Sequence, residues 1–110
     1  MAQKRLQDLT SQGTDATQKI DYAADVLAFQ SVVAQVRVPV AGASGLTLKL
    51  QHAAILDDDA FVTISSPTFD LNGAPNQSGT FNNLLRYVRW TTTGGSGTAT
   101  FQVDLVCKEY

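Results

Sequence analysis

The C-terminal stretch TATFQVDLVCK sets the terms for everything else in the chain. Ala99, Phe101, Val103, Leu105 and Cys107 alternate with Thr98, Thr100, Gln102, Asp104 and Lys108, with Val106 as the one apolar residue on the second face. A period of two over so many positions fits a strand with one face in a core and one in water, and it cannot sit on one face of a helix. The same period runs through VLAFQSVVAQVRVPV, where Val32, Ala34, Val36, Val38 and Val40 share a face opposite Gln35, Arg37 and Pro39. Pro39 has no N–H to give a ladder, which places it at an edge or a strand end.

Further strands follow from the same pattern. Leu46, Leu48 and Leu50 alternate with Thr47, Lys49 and Gln51 after a turn at AGASG, residues 41–45. Residues 60–64 and 68–71 read as short strands, and NGAPNQSGT, residues 72–80, as a loop of turn-forming residues. In LLRYVRWTTT, Val88 and Trp90 take one face and Tyr87 and Arg89 the other, and GGSG at 94–97 reads as a hairpin loop. Trp90 and Phe101 both fall on the inward register. About six or seven strands at roughly ten-residue spacing, with no sustained helical period, define an all-β class: an antiparallel β-sandwich.

Residues 1–20, MAQKRLQDLTSQGTDATQKI, differ from the rest. Leu6 and Leu9 are the only strong apolar residues before Ile20, and Gly13 and Thr14 interrupt the single helical turn their spacing suggests. The expectation is an extended N-terminal arm over 1–20, followed by a sandwich domain over 21–110, with Leu6 and Leu9 free to contact a neighbouring subunit. Of the outward aromatics, Tyr87 beside Arg89 is the pair expected to meet a partner.

Chemistry is sparse. The only histidine, His52, stands at a strand end with no serine in a nucleophile context, so no base-activated nucleophile is expected and no catalytic residue is assigned. Asp57, Asp58 and Asp59 lack the spaced oxygen ligands of a calcium loop and read as a solvated turn; no metal and no cofactor is expected. GGSG lacks the Lys-Ser or Lys-Thr and the helix of a phosphate loop. The eight basic residues are scattered and the net charge is −2, so no stripe exists to neutralise nucleic-acid phosphates. No apolar run reaches the length that spans a membrane, and the N-terminus has no apolar signal region. A single cysteine, Cys107, excludes an internal disulfide and suits a reducing compartment. Charged residues make up only 16% of the chain, leaving an uncharged polar surface rich in Thr, Gln and Asn, as in proteins that assemble.

The stretch LLRYVRWTTTGGSGTATFQVDLV, with the upstream LTLKLQHA and the acidic turn and aromatic strand DDDAFVTI, resembles a sandwich module of tailed-bacteriophage virion proteins. The resemblance covers about residues 30–108. It implies a jelly-roll-like sandwich that decorates or cements a capsid, bound to the major capsid protein or other virion proteins, within a virion assembled in the host cytoplasm. It implies self-association, for which a trimer suits a three-fold capsid position, and no enzyme. Two other readings accompany it. One is a carbohydrate-binding sandwich with Trp90 or Tyr87 as stacking residue, since RYxRW strands also occur in discoidin-like sugar-binding modules. The other is a head–tail or tail component of the same fold.

Overall fold

The computed structural model describes residues 2–41 and 45–109. Among these residues nine strands run in chain order: β1 (Ala2–Gln12), β2 (Ala24–Asp25), β3 (Phe29–Val40), β4 (Thr47–Ala53), β5 (Val62–Thr63), β6 (Phe69–Asp70), β7 (Asn76–Asn82), β8 (Tyr87–Thr93) and β9 (Ala99–Glu109). Short 3-10 turns occupy Ile20–Tyr22 and Asp58–Ala60.

All pairings are antiparallel, and they nest. β1 pairs with β9, β2 with β8, β3 with β7, and β4 with β5 and β6. The chain is thus one long antiparallel ribbon doubled back at β4–β6. Rolling that ribbon adds two further pairings, β3 with β9 and β4 with β8. The result is two facing sheets, β1-β9-β3-β7 and β2-β8-β4-β5, with β6 also on β4. Counting β5 and β6 as one interrupted strand, this is the eight-strand jelly roll, and the expected all-β sandwich class holds.

The alternating residues fill the space between the sheets. Val32, Ala34, Val36 and Val38 of β3, Leu48 and Leu50 of β4, Val88 and Trp90 of β8, and Ala99, Phe101, Val103, Leu105 and Cys107 of β9 are buried as their period requires. Trp90 of one sheet meets Phe101 of the other edge to face, with ring centroids 5.1 Å apart at 88°, an arrangement that adds to simple burial. Phe69 and Phe81 close the β6–β7 side at 6.3 Å. Val40, extrapolated inward from its period, is exposed: a register shift between Arg37 and Val40 breaks the alternation, although Val40 still pairs with Thr100 of β9.

Three expectations are corrected. Residues 1–20 are not an arm outside the sandwich. β1 forms the outer strand of the first sheet, with Ala2 opposite Cys107 and Gln12 opposite Ala99, and Leu6 lies in the core at 3% exposure. An edge strand is held by its backbone ladder and needs few apolar side chains, so the weak hydrophobic signal of this segment was no evidence against a strand. Residues 76–82 are strand β7, although residues 72–80 read as loop; small polar residues suffice because one edge and one face meet water. GGSG does not turn a hairpin. β8 and β9 belong to different sheets, and the connection crosses between them with Gly94, Gly95 and Gly97 at positive φ. In the turn expected at 41–45, residues 42–44 lie outside the described residues.

Candidate partner-binding surface

Each of the residues singled out as contacts has a definite place. Leu6 is in the core, so it is not a contact residue: its neighbours across the sandwich already cover it. Leu9, three residues on and within the second register shift of β1, between Gln7 and Thr10, is 50% exposed. Arg89 lies on the outer face of the second sheet, as the alternation requires, yet it is only 7% exposed and is likewise not a free contact. Its Nε donates to Gln51 Oε1 at 2.8 Å, its Nη1 donates to Asp58 Oδ1 at 2.6 Å, and its guanidinium stacks on Phe61 at 4.2 Å. Arg89 therefore pins the 54–61 loop onto the sheet. Tyr87 is half-buried beneath the Arg86 guanidinium, 5.1 Å from its ring. Trp90 is buried and its Nε1 donates to Gln7 Oε1 at 2.9 Å, so it offers no face to a sugar.

The three aspartates form the expected solvated turn. Asp57 accepts from the Asp59 N–H and Asp58 holds Arg89. Among the described residues no group of three His, Cys, Asp or Glu side chains is placed to hold a metal ion. His52 accepts the Leu85 N–H on Nδ1 at 3.2 Å, and burial pushes its pKa below 6.5. Burial pushes the Cys107 thiol up, away from a reactive thiolate.

The surface feature that sequence reasoning missed lies at one end of the sandwich. The β2–β3 connection, the 54–61 loop and the β7–β8 connection all emerge there. Val26 N–H donates to Arg86 O, Leu85 N–H donates to His52, and Val62 pairs with His52. Leu27, Ile55, Leu56 and Leu85 are carried on these segments and Val62 at the start of β5, each between 43% and 61% exposed. Asp25 braces the end: it accepts from the Leu27 N–H and from Arg86, and those bonds hold its carboxyl below the usual carboxylate value. A cleft of about 420 Å³ lined by Lys4, Asp25, Leu27, Ala28 and Phe29 opens beside it. The pair Ile55–Leu56 was visible in the sequence as apolar residues stranded between a finished strand and an acidic turn.

A second feature lies along the β1 side. Between Gln18 and β2 the chain bulges out as the Ile20–Tyr22 turn, leaving Tyr22 exposed beside a cleft of about 320 Å³ shared with Gln7, Gln12, Thr17 and Lys19. Gln18, buried at its base, staples the two sheets: its Nε2 donates to Leu6 O at 2.6 Å and its N–H to Trp90 O at 3.0 Å.

No protein-family model matches the chain, and no curated protein matches it. Among solved structures, the chain is similar to one described in work on Bacillus endospore appendages, a family of disulfide-linked pili. The TM-score is 0.48 at 14% identity, over 99% of this chain and 88% of that chain. A likeness at that level carries no argument about function.

Proposed function

We propose that this chain is a non-catalytic assembly module, and specifically a virion structural protein that decorates or cements a bacteriophage head. The observation that supports it best is the apolar loop end. Five large apolar side chains held half-exposed by ion pairs and loop hydrogen bonds are surface that a partner would cover. The virion assignment rests on the resemblance of residues 30–108, and the contact surface shifts from Leu6 and Arg89 to the loop end, with Tyr87 at its margin. Replacing Leu27, Ile55 and Leu85 together by aspartate tests it. Co-sedimentation with phage heads should be lost while the melting temperature stays within about 3 °C, since exposed positions carry little stability. Unchanged co-sedimentation, or no association of the parent chain with heads or tails, would overturn the reading.

Carbohydrate binding is the second reading, and Tyr22 supports it rather than Trp90 or Tyr87. Among the described residues Tyr22 is the exposed aromatic, with amide side chains at hand. Glycan binding by the parent chain that Tyr22→Ala abolishes would move this reading ahead of the first.

A further inference from the structure

The four sheet edges are not treated alike. β1 carries Lys4, Arg5 and Asp8 and breaks register twice against β9. β2, β5 and β6 are two residues each. Charges, bulges and brevity are the devices by which proteins stop a sheet edge from recruiting another strand. β7 has none of them. It pairs with β3 over seven consecutive positions without a shift, and among the described residues its other edge meets no strand. It contains no charged residue and no proline.

The sequence of β7, NQSGTFN, is also a near-palindrome about Gly79. Laid antiparallel on itself with Gly79 at the centre, Ser78 falls opposite Thr80 and Asn76 opposite Asn82. These four are exposed and share the solvent face. Ser–Thr and Asn–Asn pairs across adjacent strands hydrogen-bond, and no like charges meet. On the other face Gly79 falls opposite itself and Gln77 opposite Phe81. A Cβ at Gly79 would come within 2.7 Å of Pro67 Cγ, so the bare backbone at the centre is also required by the fold itself.

We propose that β7 is a homodimer interface, pairing antiparallel with the β7 of a second copy about a two-fold axis through Gly79. The two four-stranded sheets then become one continuous sheet of eight strands. Such a pairing is isologous and closes at two copies, so it gives a dimer rather than a ring of three. It is independent of what the apolar loop end contacts.

Two double variants on the solvent face test the pairing and its register by sedimentation equilibrium, with near-ultraviolet dichroism of Trp90 to confirm folding. The parent chain should sediment as twice its 11.8 kDa. Ser78→Lys with Thr80→Lys sets lysines against lysines across the axis and should weaken the dimer about tenfold or more. Ser78→Lys with Thr80→Glu sets each new lysine against the partner's new glutamate, and should stay dimeric, more weakly as salt rises. A parent that is monomeric at hundreds of micromolar, or trimeric, overturns the proposal. So does equal dimerisation of both variants, or equal loss in both.

Discussion

The leucines of β1 offer a sharp test of where the sandwich begins. Leu6 and Leu9 are three residues apart in a segment of weak hydrophobic signal, but Leu6 is 3% exposed and Leu9 50%. Leu6→Ala removes most of a buried side chain from a core shared by both sheets, a change that costs about 2–5 kcal/mol depending on how far the site collapses. The upper half is expected, because the Leu6 carbonyl is tied to the Gln18 side chain and the backbone has little freedom to close the gap. Leu9→Ala should stay within about 0.5 kcal/mol. Against a whole-domain stability of roughly 5–15 kcal/mol, the first loss is large and the second is not. Urea unfolding followed by Trp90 fluorescence reads both, and in thermal melts a loss of about 3 kcal/mol should lower the midpoint by roughly 10–20 °C. A neutral Leu6→Ala, or equal costs at the two positions, would refute the placement of β1 in the sandwich.

Two further outcomes follow from the geometry. Gly94→Ala puts a Cβ 2.7 Å from Gly45 O at a φ of +71°, so it should cost about 2–4 kcal/mol in denaturant unfolding, with strain and clash together. The His52 imidazole is held neutral by burial, so its pKa is lower folded than unfolded; the unfolded chain takes up the proton first, and stability falls as pH drops from above 6.5 through the folded value. His52→Asn should flatten that slope, read by comparing urea midpoints at about pH 7 and about pH 5 for the parent and the variant.

The parts of the fold legible in the sequence are those where one face must be apolar. β3, β4, β8 and β9 border the interior along their length, and their period of two named the buried side chains, Trp90 and Phe101 included. β1 and β7 were illegible for the converse reason. As edge strands they are held mainly by backbone hydrogen bonds, which any residue but proline supplies. Arg89 was read to the correct face and the wrong environment, because the loop that covers it is brought there by Phe61 and Asp58, a contact no local pattern encodes. The apolar loop end was illegible as a unit, since Leu27, Ile55 and Leu85 become neighbours of one surface only once three connections emerge together.

The nesting of the strands also dictates when the protein can exist. β9 follows the other eight described strands in sequence and is an inner strand of its sheet, lying between β1 and β3. Until it is synthesised, β1 has no hydrogen-bonded neighbour in the sheet, and the valines of β3 face a half-built wall. The pairing that completes the sheet joins Ala2 to Cys107, nearly the whole chain apart. Contacts so distant make for folding in about milliseconds to seconds. On the ribosome the nascent chain must hold β1 in waiting until β9 is made, so a product that lacks β9 is an exposed pair of strand edges rather than a smaller version of the protein.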